Sequence, residues 1–330
     1  MSAILTKADF SPEYLNRIQT IGMEVEGFSK KKLEVEIPGC GKRIGEAGKH
    51  MFELITAPYY DVASSFGALR RLINGDEGNV SFVPSRPTKF GQEIIWEKKP
   101  RYNALREALE IEVPGQSHLV DKMTTHAAIH VNFSGELIDP FGKDGVFLNN
   151  MINNLAPLLA ALVHKEVGRG KEHLSIWQKF AKPERFPQYG CWFKDSEDMI
   201  HFIESLPSLF AVTDNDELHV YPGSKQSINN PVDLTFMWRF LRPKIGPIGP
   251  YLELRYLPSM KLDLAEKYVN QAVDLIEILL EWFWYCNDGQ PVTCIEEAEG
   301  AFEFLARRSR IDLLSKPLTE DQWHDLFNNH

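Results

Sequence analysis

Polar and apolar residues alternate in short runs along the first part of the chain. In Gly22-Met23-Glu24-Val25-Glu26-Gly27-Phe28 the period is two, so Met23 and Val25 share one side of a strand and Glu24 and Glu26 the other. The pattern predicts strands over Ile21–Phe28, Lys32–Ile37, Phe52–Ala57 and Ala127–Ser134. Within the last of these, Ile129, Val131 and Phe133 face a core, and His130, Asn132 and Ser134 face away from it. Tyr251–Leu257 repeats the arrangement, with Leu252 and Leu254 inward and Glu253 and Arg255 opposite. Helical spacing takes over elsewhere. Val62, Phe66, Leu69 and Leu72 predict a helix over Val62–Asn74, and Phe147, Met151, Leu155, Leu158 and Leu162 one over Lys143–Val167. A third helix, about Leu262 to Cys286, carries Ala265, Val269, Ala272, Ile276, Leu279 and Phe283 on its apolar face and ends in the aromatic cluster Trp282–Tyr285, read as core packing. Gly75–Pro100 reads as a loop with one hairpin. Strands gather early and helices late without regular alternation. The expectation is therefore an α+β fold with a mostly antiparallel sheet rather than a doubly wound one.

Composition narrows the function classes. The chain has 330 residues, 43% hydrophobic and 25% charged, which is ordinary globular usage. Its formal net charge of −10 disfavours binding to phosphate backbones, so no nucleic-acid partner is expected. The apolar run Leu155–Val163 is short for a membrane span and contains Pro157, and MSAILTKADF lacks the apolar core of a signal peptide. A cytoplasmic protein with no membrane partner is the expectation. Cys40, Cys191, Cys286 and Cys294 are scattered without a C-x-x-C pair, which argues against a disulfide framework or structural zinc.

The strands together offer one sheet face bearing Glu24, Glu26, Glu53, His130, Asn132, Glu253 and Arg255. Any one E-x-E has a plain reading as a solvated strand, and Glu34 with Glu36 is taken as that. Many hard oxygen ligands with a single imidazole suit Mg2+ or Mn2+, which would neutralise crowded carboxylates and keep positions open for phosphate oxygens.

In order along the chain, G-M-E-V-E, F-E-L-I-T-A-P, I-H-V-N-F-S and Trp238-Arg239-Phe240-Leu241-Arg242-Pro243 with Tyr251-Leu252-Glu253-Leu254-Arg255 resemble the glutamate–cysteine ligase and carboxylate–amine ligase family. The resemblance runs over roughly residues 20 to 260. It implies a glutamine-synthetase-like fold over 1–330 as a single catalytic domain, with a curved antiparallel sheet forming a funnel-shaped active site and helices on its outer face. It further implies Glu24, Glu26, Glu53, His130 and Glu253 as metal ligands, and Arg242 and Arg255 as catalytic residues holding a carboxylate or the transferring phosphoryl group. Asn132, with Arg242, would assist substrate and nucleotide binding. The implied activity is ATP-dependent amide formation between glutamate or a similar carboxylate and an amine, with ATP and Mg2+ or Mn2+ as cofactors and small-molecule partners. Two departures, His164–Gly170 in place of a small-residue loop and Tyr256-Leu257-Pro258 after Glu253-Leu254-Arg255, leave the acceptor amine open, as is the oligomeric state. A phosphotransferase on the same fold and a degenerate binding protein are the alternatives, and a surface arginine in a Pro/Gly loop is the plain reading of Arg242.

Other motifs fail on their own terms. Ile44–His50 approaches a P-loop but has Arg43 and His50 where glycine and a hydroxyl residue belong. No G-x-G-x-x-G opens a helix after a strand. His126 and His130 are four apart, but the run Ala127–Ser134 is strand-like and no H-E-x-x-H is present, so zinc hydrolysis has no support, and Cys191 is read as packing rather than as a nucleophile.

Overall fold

The computed structural model describes residues 18–31, 34–91, 93–96, 100–115, 117–135, 138–168, 181–212, 218–220, 225–309, 319–322 and 325. In chain order its elements begin with β1 (Thr20–Ser29), β2 (Val35–Ile37), β3 (Gly41–Gly45), β4 (Met51–Thr56), α1 (Val62–Leu72) and β5 (Val80–Ser81). Next come α2 (Pro100–Glu112), α3 (Ser117–Val120), β6 (Ala128–Ser134), α4 (Lys143–Val167), α5 (Ser196–Ser205), β7 (Phe210–Val212), β8 (Leu218–Val220) and α6 (Pro231–Thr235). The chain then forms β9 (Leu241–Gly246), β10 (Gly249–Pro258), α7 (Leu262–Tyr285) and α8 (Ile295–Ser309).

The architecture is α+β. An open sheet runs β2-β3-β4-β1-β6-β10-β9, with β5 on the end of β1, and its pairings are antiparallel. Alternation along β1 is the reason for its register. Met23 and Val25 are fully buried, as are Leu54, Ile129, Val131, Leu252 and Leu254 on the strands beside it. A slip of one residue would turn every one of these side chains to the other face. α1 and α4 cover this apolar face, α7 lies over them and α8 packs on α7. On α7 the stripe Ala265, Val269, Ala272, Ile276, Leu279 and Phe283 is completely buried, and Phe283 stacks on Phe147 of α4 at 4.5 Å. Each large apolar side chain so buried contributes about 1.5–3 kcal/mol. α4 is long and apolar enough to cross a membrane, yet 83% of its apolar window is buried inside the fold, as in a core helix.

A row of asparagines on α4 ties that helix to the rest of the sheet. Asn153 Oδ1 accepts from the backbone N–H groups of Phe240 (2.9 Å) and Leu241 (3.3 Å), and its Nδ2 donates to the Leu241 carbonyl (3.2 Å). This clamp fixes the start of β9, one residue before Arg242. Asn150 does the same for Phe193, accepting from its N–H at 2.8 Å and donating to its carbonyl at 2.8 Å. A buried amide satisfied on both sides holds backbone that apolar packing alone would leave free to shift.

Several boundaries differ from the sequence reading. Only Val35–Ile37 of the second predicted strand is a described strand, and Lys32 and Leu33 lie outside the described residues. The third predicted helix ends at Tyr285 and the first at Leu72. In the Gly75–Pro100 stretch, β5 pairs with β1 rather than forming its own hairpin. Ile44–His50 leads from β3 through a turn into β4, so no helix follows it and the P-loop geometry is absent there.

Candidate metal and substrate site

The second face of the sheet is polar, and register decides who meets whom. Across β1 and β6, Glu24 is the Cα partner of His130. Across β1 and β4, Glu26 is the partner of Glu53. Asn132 pairs with Glu253 across β6 and β10, and Glu253 with Arg242 across β10 and β9. Directly opposed residues in an antiparallel pair project to the same side, so these positions form one continuous floor. A bulge between Leu254 and Leu257 adds a residue opposite His130. Arg255 shares the polar face with Glu253 by alternation, its Nη1 donating to Glu253 Oε1 at 2.5 Å, and the bulge returns Leu257 to the core.

The floor has an acidic half and a cationic half. In the acidic half one ligand atom each from Glu24, Glu53 and His130 lie within 4.8 Å of one another. His130 Nδ1 is 3.3 Å from Glu24 Oε2 and 3.5 Å from Glu253 Oε1, and Asn132 Nδ2 donates to Glu24 Oε1 at 2.8 Å. The amide oxygen of Asn132 is buried with no hydrogen-bond partner among the described residues. Burial alone would push Glu24 up, yet the hydrogen bonds from His130 and Asn132 hold it below the usual carboxylate range. Burial and the Arg255 charge push His130 down, so the imidazole is neutral. An ionised carboxylate, a neutral imidazole and an orphaned carbonyl oxygen are the forms in which these groups ligate cations. The donor set therefore fits Mg2+ or Mn2+.

Glu26 sits beside this trio. Its Oε2 accepts from the Ala128 N–H at 2.8 Å, and its own carbonyl accepts from Ser259 Oγ at 2.6 Å. Burial, reinforced by the charge of Glu46, pushes it up to about 8. Glu46 had no role in the sequence reading. It lies just after β3 and accepts from Tyr102 Oη on α2 at 2.8 Å. Because the folded pKa of Glu26 exceeds its unfolded value of about 4.5, the native state binds the extra proton between those two pH values. Its stabilising share is complete below the lower value and is lost as pH rises toward 8. With a chelator present, the advantage in Tm of Glu26→Gln over the wild type is expected to grow from pH 5 to pH 8 and then level off. Thermal melts of both proteins across that range check it, and a difference independent of pH would contradict it.

The cationic half is built around Glu253, 1% exposed. Arg242 donates to it bidentately, Nε to Oε2 at 3.0 Å and Nη2 to Oε1 at 3.0 Å. The Nη1 of Arg242 donates to the carbonyls of Thr235 and of Met237, the latter at 2.7 Å. Lys244 Nζ is 3.8 Å from Glu253 Oε2. Burial would raise Glu253, but Arg242, Arg255 and Lys244 hold it well below the usual range. Arg242 is pushed down to about 10, and Lys244 to about 8, by burial and by the neighbouring guanidinium charges.

Structure thus brings all eight sequence-derived positions to one face but divides them. Glu24, Glu53 and His130 converge, and Glu26 adjoins them. Glu253 touches His130 while its oxygens are engaged by arginine. Arg242 is not a surface residue in a Pro/Gly loop: it lies on an edge strand, 3% exposed, with its donors turned inward. The solvated reading holds for the other acidic pair, since Glu34 and Glu36 are exposed. Lys244 and Glu46 are the charged residues here that sequence reasoning missed.

No family model matches the chain, and no curated protein sequence does. Among solved structures it is similar to a bifunctional glutathione synthetase from Pasteurella multocida, at 13% identity and a TM-score of 0.43, over 80% of this chain and 39% of that one. The chain thus spans well under half the length of that protein. It is also similar to a glutamate–cysteine ligase from Francisella tularensis in complex with AMP, at 12% identity and a TM-score of 0.43, over 94% of this chain and 82% of that one.

Proposed function

We propose that the protein is an ATP-dependent carboxylate–amine ligase whose single catalytic domain uses the polar sheet face as the wall of a funnel-shaped active site. One observation carries the reading: the face sets three convergent side chains of cation-ligating type, Glu24, Glu53 and His130, beside a cluster of Arg242, Lys244 and Arg255 around one carboxylate. Such a floor suits a substrate that is anionic at both ends, nucleotide phosphate toward one half and carboxylate toward the other. A divalent ion held by Glu24, Glu53 and His130 would neutralise phosphate oxygens as charge builds on them.

The chemistry asks the chain for placement and charge more than for a nucleophile. The substrate carboxylate oxygen attacks the γ-phosphorus of ATP, the bond to the β,γ-bridging oxygen breaks, and ADP leaves with that electron pair. Amine nitrogen then attacks the acyl carbon, phosphate departs with the carbon–oxygen bonding pair, and the amine proton passes to solvent. Arg255 lies beside Glu253 with the side chain partly open, placed to hold anionic oxygens through these steps. Glu253 holds Arg255 and Arg242 apart in fixed orientation, and the neutral His130 stays available as a ligand rather than as a competing cation. The reading carries with it a cytoplasmic setting, where ATP and magnesium are abundant.

Incubation with ATP, MgCl2, L-glutamate and a panel of amines, followed by mass spectrometry, tests it. The expected result is an amide, with one ADP and one phosphate formed per amide and none without both substrates. A phosphorylated product in its place would establish a phosphotransferase, and no nucleotide binding with or without magnesium would establish a binding protein.

A further inference from the structure

Charge in the cationic half does not balance. Arg242, Lys244 and Arg255 surround the single carboxylate of Glu253, and Glu24 of the acidic half, which shares His130 Nδ1 with Glu253, also attracts Arg242 and Lys244. Three cations around one carboxylate, all within a largely buried patch, leave an excess of positive charge that an anionic ligand would offset. The three are not equivalent. Arg242 spends its donors on Glu253 and on the carbonyls of Thr235 and Met237, at 3% exposure. It has little left to offer a ligand.

Lys244 is different. Its ammonium makes one hydrogen bond among the described residues, to Thr235 Oγ1 at 2.9 Å. Glu253 is 3.8 Å away, beyond hydrogen-bond reach. Of three N–H donors, two are therefore uncommitted. The Lys244 and Arg255 side chains are each 14% exposed, so both reach the surface of the floor from opposite sides of Glu253. Lys244 stands on β9 with Tyr251 as its Cα partner across β10. On β1, two residues before Glu24 on the same face, Gly22 has Asn132 as its partner, so β1 itself adds no side chain beside Glu24 there.

We infer that Lys244 and Arg255 together form the clamp for the carboxylate of the substrate, with Arg242 acting as a positioning residue that holds Glu253 and does not touch it. The inference rests on the ligase reading for the identity of the anion, a carboxylic acid carrying a second carboxylate to be activated. A lysine point charge and an arginine fork on either side of a fixed acid bind one carboxylate from two directions and reject a neutral amide in its place.

Calorimetric titration of the full chain in MgCl2 tests it, with L-glutamate, L-aspartate and glutarate as carboxylate probes and a non-hydrolysable ATP analogue as the nucleotide probe. Wild type is expected to bind at least one dicarboxylate. Lys244→Met should weaken that affinity at least tenfold and leave the nucleotide within twofold. Lys244→Arg should recover part of the loss. Unchanged Tm and unchanged Mn2+ binding would show that the variant is folded. The inference is overturned if wild type binds no dicarboxylate, if Lys244→Met leaves the affinity unchanged, or if the loss falls on the nucleotide. Carboxylate binding that depends on Lys244, in a protein that forms no amide with any amine, would sink the ligase reading and leave the clamp standing.

Discussion

Glu53→Gln is expected to lower kcat/KM for ADP formation by about a thousandfold or more while the fold persists. The amide keeps the shape of the carboxylate and removes the charge. Loss of a divalent ion that neutralises developing phosphate charge forfeits several kcal/mol, and each 1.36 kcal/mol is a factor of ten. Stability should change little, because the amide fills the same space opposite Glu26, the Cα partner of Glu53. Any MgCl2-induced rise in Tm, which reports binding to the native state alone, should shrink in the variant. ADP formation and melting with and without MgCl2 measure both. Wild-type turnover together with an undiminished magnesium effect would remove Glu53 from the cation site.

Changes at Glu253 and Arg242 should act on stability instead, with the acid costing more. Glu253 is the one carboxylate among three cations, so Glu253→Gln leaves all three without it in a buried patch. Arg242→Met removes one cation and leaves Glu253 with Arg255 and Lys244. Breaking a buried pair costs about 3–5 kcal/mol, and Glu253→Gln belongs at the upper end. The double variant Arg242→Met/Glu253→Gln should be less destabilised than the sum of the two. Urea melts of the three proteins give the ordering. A double variant destabilised by the full sum would mean that the two side chains do not act as a pair.

Much of this arrangement could be read from alternation. A strand with one apolar face must turn its other residues the opposite way, so Glu24 with Glu26 and His130 with Asn132 were legible as pairs before any coordinates. α4 was legible because its stripe is uninterrupted, and it begins and ends at the residues its periodicity marks. α2 was not assigned, although Tyr102, Leu105 and Leu109 recur at helical spacing and are buried. Which strand lies beside which is a long-range property, and it decides that Glu26 meets Glu53 while Glu253 meets Arg242. The bulge that returns Leu257 to the core after Arg255 depends on the pairing of β6 with β10, and no local pattern encodes it. Lys244 was hidden by its surroundings: a strand containing Pro243 and ending at Gly246 reads as a loop, and only its place at the sheet edge permits the proline. Glu46 was obscured because the glycines and lysine around it drew attention to a phosphate loop. Asn150 and Asn153, buried on α4, look unsuited to a core until their backbone partners at Phe193 and on β9 are known.

The central claim is that Glu24, Glu53 and His130 hold one divalent ion. Anomalous diffraction from crystals of the full chain soaked in MnCl2 tests it most directly. The account predicts a manganese peak bounded by those three side chains, and its loss in Glu53→Gln crystals soaked in the same way. Manganese bound elsewhere in the molecule, with no peak between them, would contradict it.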